Sequence, residues 1–350
     1  MKHTYFLMAS LIVLLAACNN EKKGGTIAAD AIKPVAVTEP TAFDTDDPAI
    51  WINRKDTANS LIIGTDKETG GGLYLYNLQG KIVNKVTGLK RPNNVDIAYD
   101  VPLNGQLVDI ALTTEREANK VRIYTLPDLK EVDGGGIDVF SGEKERDPMG
   151  IAVYTRPADS AVFVIVGRKT GPADGYLWQY RLTENAGKLD FTLVRKFGKY
   201  SGKKEIEAIA VDNKLGYVYY SDEQTGIHKY YADPDKKDDN ELALFGTTGF
   251  TSDHEGISIY QSTDSTGYIL VSNQQDNSFM IFAREGSANN RHEHSLVAKV
   301  PVSTLESDGS EVTALPLSPQ YPQGLFVAMS NGKVFHYYDW RDIAKKAGLK

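Results

Sequence analysis

Short runs rich in Val, Ile, Tyr and Phe recur along the chain, separated by clusters of Gly, Pro, Asn and Asp. No long segment ahead of the C-terminus keeps the 3.6-residue apolar period of a helix, so the pattern predicts strands joined by tight turns. The chain reads as all-β as far as about Trp340, with residues 341–347 forming a short terminal helix.

The strands are organised by a repeat. Six segments place an acidic or amide residue shortly before a small or acidic position and an alternating apolar strand. They are Asp46-Asp47-Pro48-Ala49-Ile50, Asn93-Asn94-Val95-Asp96-Ile97, Asp147-Pro148-Met149-Gly150-Ile151, Glu205-Ile206-Glu207-Ala208-Ile209, Asp253-His254-Glu255-Gly256-Ile257 and Asp308-Gly309-Ser310-Glu311-Val312. Downstream in each unit an apolar strand ends in a polar triplet: Thr65-Asp66-Lys67, Thr114-Glu115-Arg116, Gly167-Arg168-Lys169, Ser221-Asp222-Glu223, Ser272-Asn273-Gln274 and Met329-Ser330-Asn331. An aromatic-rich strand then returns. Repeats of roughly fifty residues, each holding about four strands, predict a propeller, because a four-stranded blade buries its faces only against its neighbours. The count is six, which makes the fold class an all-β, six-bladed β-propeller over residues 31–350. Lys33-Pro34-Val35-Ala36-Val37 precedes the first unit while the last unit lacks a strand, so this segment is expected to complete the last blade and close the ring.

The N-terminus reads differently. An apolar run from Tyr5 to Ala17 follows Lys2 and His3 and ends in Leu15-Ala16-Ala17-Cys18. The run is too short to span a bilayer as a helix and has the length of a signal-peptide core. Its end resembles a bacterial lipobox, which implies that residues 1–17 are removed, that Cys18 carries the lipid, and that residues 18–30 are a flexible tether. The expectation is an exported monomer, lipid-anchored to a bacterial cell membrane and facing the periplasm or the cell surface. Cys18 is the sole cysteine, so disulfides, thiolate metal sites and a cysteine nucleophile are excluded.

Composition narrows the function. With 39 Lys and Arg against 46 Asp and Glu, the net charge of −7 speaks against nucleic acid as a partner, since a phosphate backbone needs a cationic face. The repeat nevertheless gathers cations. Equivalent positions of successive blades form a circle, and at the last triplet position that circle reads Lys67, Arg116, Lys169, Glu223, Gln274, Asn331. Glu207 and Glu255 fall on the fourth and fifth blades beside Glu223. One half-circle suits phosphate oxygens, for which Arg and Lys are the usual partners, and the other needs a hard cation to offset its carboxylates. This pattern points to a polyanionic small molecule bound through metal ions.

The sequence also resembles the β-propeller phytases from about Thr41 to the C-terminus. The resemblance is most specific in Asp46-Asp47-Pro48-Ala49-Ile50-Trp51, in Asn93-Asn94-Val95-Asp96-Ile97, and in Tyr321-Pro322-Gln323-Gly324-Leu325. It implies a calcium-dependent 3-phytase that hydrolyses calcium phytate to lower inositol phosphates, with several structural and catalytic calcium ions. Lys67, Arg116 and Lys169 match the family's phosphate-binding cations, with Arg168 as a stand-in for Lys169. Glu207, Glu223, Asp253 and Glu255 match its calcium ligands and the carboxylates around the attacking water, with Glu223, Glu207, Lys67 and Arg116 as the catalytic set. Asp47 and Asp308 match further metal-binding acids at the same mouth, and Asp46 suits a structural calcium. Met149 stands where the family pattern has Tyr, and Glu311 where it has Asp.

Two alternatives share the fold: a calcium-dependent hydrolase of esters or lactones, and a non-catalytic binding module. The latter does not require cations facing glutamates. His292-Glu293-His294 reads as a solvated hairpin tip, and no Gly-x-Ser-x-Gly elbow is present.

Overall fold

The computed structural model describes residues 25–349. Its strands form six four-stranded antiparallel sheets, in which strands consecutive in sequence are neighbours except at the closure. Five blades span residues 45–87, 92–138, 148–199, 209–245 and 254–301. The sixth joins residues 310–339 to the N-terminal strand Ala36–Val37, which pairs with Val334–Asp339 in the register Ala36↔Tyr337 and Val37↔His336. The expected ring closure is therefore present. The terminal helix runs Trp340–Ala347, starting on the Asp339 cap one residue earlier than the pattern suggested.

The apolar repeat explains why blades stack. In the second strand of blade one, Leu61–Asp66, adjacent residues face opposite neighbours. Ile62 packs with Val327, Phe335 and Tyr337 of blade six, whereas Ile63 packs with Ile97, Ala111 and Tyr124 of blade two. A strand covered on both faces reads as an unbroken apolar run rather than an alternating one. Each such side chain, fully withdrawn from water, contributes about 1.5–3 kcal/mol. Gly64 follows in the same strand because the Phe335 ring lies where a Cβ would stand, 2.1 Å away.

The first strand of each blade faces the axis. Together these six strands line a channel that receives Asp47, Asp96, Ile151, Val211, Ser258 and Glu311, one residue from each blade.

Two expectations change. The segment assigned to the tether is already seated from Gly25: Asn277 donates to the Gly25 carbonyl (2.6 Å), Lys346 pairs with Asp30 (2.6 Å), and the Ile32 amide bonds to Pro301 O (3.0 Å). A tether reaching to Asp30 is thus too long. Cys18 and residues 1–17 lie outside the described residues. His294 is not solvated; it is 6% exposed, with Nδ1 bonded to Ala283 O and burial holding its pKa down at about 4. Among the described residues no helix is long and apolar enough to cross a membrane.

Candidate active site

The mouth is built by one backbone device used six times. The amide of each last triplet residue donates to a carbonyl in the segment that leads into its own blade: Lys67 to Asp44, Arg116 to Arg91, Lys169 to Asp147, Glu223 to Glu205, Gln274 to Asp253 and Asn331 to Leu305. The second strand's end is thereby tied to the first strand's start, as antiparallel pairing demands. In blades one, two, three and five the register of that pair also shifts at this end, between Thr45 and Pro48, Pro92 and Val95, Pro148 and Ile151, and His254 and Ile257. Such bulges turn side chains out of the pleat, here at the rim of the channel.

The three triplet positions point in three directions. The first stitches blades together, as where Thr114 Oγ1 bonds to Met149 O (2.6 Å) and Ser221 Oγ to Glu255 O (3.0 Å). The middle one pins the leading segment: Asp66 accepts from the amides of Ala42, Phe43 and Asp44, Asp222 from Ser201, and Asn273 from Thr251. Only the last reaches the mouth. Arg168 holds a middle position, and accordingly it is buried (1% exposed), donates to Glu145 O (3.0 Å) and lies over the Phe140 ring. Its guanidinium is thereby turned into the blade, away from the mouth where Lys169 pairs with Glu205.

On the acidic side the structure brings the predicted carboxylates together. Glu205, Glu207 and Glu223 form one group whose ligand oxygens lie within 4.8 Å of one another, and Glu223, Asp253 and Glu255 form a second. Glu223 belongs to both. Burial, opposed by the neighbouring Lys204 ammonium, pushes the Glu223 carboxyl up to about 7. Burial and the surrounding carboxylates raise Glu207 and Glu255 well above the usual range. Asp253 moves the other way: bonds from Lys204, Gln224 and Ser252 outweigh its burial. Glu223 Oε1 and Glu255 Oε2 are buried without a hydrogen-bond donor among the described residues, and Glu223 Oε2 and Glu205 Oε2 are met only by the ammoniums of Lys204 and Lys169. Orphaned carboxylate oxygens converging this closely need a cation.

The cations face this group but are less segregated than the sequence suggested. Lys67 sits between Asp46 (3.0 Å) and Asp308, with Asp44 at 3.7 Å. Lys169 pairs with Glu205 (3.2 Å), whereas Arg116 makes no ion pair among the described residues and donates to Asn93 Oδ1 (3.2 Å). Asp308 is pushed up to about 6 by burial, against the pull of Lys67. Asp46 and Asp47 exchange their expected places. Asp46 turns to the mouth, while its neighbour in the bulged stretch, Asp47, looks into the axial channel and accepts from the Val95 amide (3.1 Å).

A family model described as Phytase matches residues 3–338. The chain belongs to the phytase family. Among curated proteins it is similar to a 3-phytase of Bacillus subtilis (strain 168), 29% identical over 338 residues that cover 90% of this chain and 83% of the relative. Among solved structures, a chain of the mitotic checkpoint complex aligns at a TM-score of 0.50 with 9% identity, covering 97% of this chain and 99% of that one, which is a likeness of fold alone. The solved Dos1 propeller aligns at 0.45 with 10% identity over 85% of this chain and 68% of that one.

The phytase mouth contains residues that the repeat did not single out. Asn93, 1% exposed, is the joint between the two halves: its amide donates to Asp46 Oδ2 (2.6 Å) and Glu207, and its carbonyl accepts from Arg116. Lys204, Glu205 and Gln275 also reach the site. Asn93 and Glu205 open two of the repeated segments, so their register was a usable signal. Lys204 precedes its segment and Gln275 follows its triplet, outside any shared position.

Proposed function

We propose that the protein is a calcium-dependent phosphomonoesterase that hydrolyses phytate to lower inositol phosphates and phosphate. The observation that carries the reading is the pair of carboxylate groups sharing Glu223 at one mouth with Lys67, Arg116 and Lys169, in a phytase-family chain. The donor set fits calcium: every candidate ligand is a hard oxygen, and Glu223 Oε1 and Glu255 Oε2 have no other partner among the described residues. Glu205, Glu207, Glu223, Asp253 and Glu255 would hold the metal. Calcium bound there supplies Lewis-acid stabilisation of phosphoryl charge and a more acidic water.

The chain's own residues do the rest. Arg116, free of carboxylate partners among the described residues, orients a phosphate through two oxygens, and Lys67 and Lys169 offset charge that grows on the equatorial oxygens in the transition state. Asn93 fixes Arg116 relative to Glu207, which sets the distance between the cationic and acidic halves. Glu223, shared by both carboxylate groups, is placed to accept a proton from the attacking water. The mechanism requires no covalent phosphoenzyme. Phosphate release from phytate by the purified protein, with calcium and then with a chelator, tests the reading. Chelation should abolish release, and release indifferent to chelator would overturn the metal's role. Resolving the first product by NMR tests removal at the 3-position.

The same proposal includes export and a lipid on Cys18. Replacement of Cys18 by Ser should move the protein from the membrane fraction to the soluble one. An unchanged distribution would sink the anchor.

A further inference from the structure

Lys204 lies in a position that neither the repeat nor the family resemblance assigns. It is on the segment before the inner strand Ile209–Asp212 of blade four, and its ammonium lies 2.8 Å from Asp253, 3.6 Å from Glu255 and in contact with Glu223. Those are the three carboxylates of the second metal-capable group. Among the described residues no other lysine or arginine pairs with any of the three.

The arrangement is layered. The Lys204 side chain is 32% exposed, while those of Glu223, Asp253 and Glu255 are 1%, 6% and 4% exposed. The ammonium therefore caps the group on its solvent side, and an ion arriving from the mouth meets it first. One positive charge cannot balance three carboxylates, and Glu255 Oε2 is left without a donor among the described residues. A divalent ion with room for six to eight oxygens satisfies the group better, yet it must displace an ammonium that is tethered to the site and pays no cost of association. The four-carbon stem of lysine lets the head swing outward without moving the backbone.

We propose that Lys204 is a resident cation of the Glu223–Asp253–Glu255 group, which it holds together in the metal-free protein and from which calcium must displace it. By competing, Lys204 sets the calcium concentration at which this group fills. The proposal rests on the calcium reading above and concerns binding, so its readout is separate from turnover.

The test is calorimetric titration of the metal-stripped full-length protein with calcium chloride, comparing wild type, Lys204→Met and Lys204→Arg. Removal of the charge should tighten the weakest class of sites by about tenfold or more, whereas Lys204→Arg should stay near wild type. Without calcium, Lys204→Met should melt below wild type because three buried carboxylates lose their counter-charge, and saturating calcium should erase the difference. Lys204→Gln serves in the same comparison if the methionine variant does not fold metal-free. Calcium uptake by wild type with equal or weaker uptake by the folded neutral variant would overturn the proposal alone. No uptake by either protein would overturn it together with the calcium reading.

Discussion

Replacing Glu223 by Gln preserves the side-chain shape and separates two effects that the carboxylate combines. Glu223 is fully buried, and burial raises its carboxyl from 4.5 to about 7. Because the folded-state value lies above the unfolded one, the folded protein binds more protons between them, and stability falls as pH rises from about 4.5 through 7. At about 1.4 kcal/mol per pH unit, holding Glu223 ionised above that window costs about 3 kcal/mol. Gln carries no such cost. In chelator at pH 8 the Glu223→Gln variant should therefore be more stable than wild type, by up to about 3 kcal/mol or roughly 5 °C in melting temperature. At pH 4 the gain should vanish. Calcium reverses the order, because the residue shared by both metal-capable groups is gone and the variant gains less from the ion. Phosphate release from phytate at saturating calcium should fall at least about a hundredfold. Calorimetric melting in chelator and in calcium, at both pH values, reads the crossing. A variant no more stable than wild type in chelator at pH 8, or one that keeps the full calcium-dependent gain, would refute the reasoning.

Three further outcomes follow from particular placements. Asp46→Asn removes a partner of both Lys67 and Asn93 and should lower kcat/KM for phytate about tenfold or more, whereas Asp47→Asn, facing the channel, should leave it within about threefold; steady-state kinetics on both variants decides. Arg168→Met should cost about 3 kcal/mol in urea denaturation and leave KM unchanged, while Lys169→Met should raise KM with little loss of stability; the opposite pairing would return Arg168 to the substrate site. In the channel, burial pushes Glu311 up to about 8 and Asp96 to about 6, with Asp47 facing both. Raised carboxyls lose stability as pH climbs through these values, so in chelator wild type should weaken from pH 6 to pH 9 more than Glu311→Gln does, and equal slopes would exclude this account.

Much of the site was legible because a propeller converts sequence period into spatial position. Once the triplets are in register, Lys67, Arg116, Lys169 and Glu223 must share one rim, and Glu207, Asp253 and Glu255 must lie near them. What the period leaves open is direction. Arg168 is adjacent to Lys169 and chemically a better phosphate ligand, yet it turns into the blade because a middle triplet position serves the loop behind it. Asp46 and Asp47 are neighbours at a bulged strand end, and one faces the mouth while the other faces the channel.

The sequence by itself determined the number of blades, the closing strand and the circle of residues at the mouth, since all three follow from local apolar periodicity and repeat spacing. Tertiary structure alone decided which charges meet. Asn93 joins Asp46, Glu207 and Arg116 from three different blades, and Lys204 reaches Glu223, Asp253 and Glu255 from a loop outside the repeat. The physical reason is that pairing energy depends on distance and burial across blades, and these are set only when the ring closes and withdraws those groups from water.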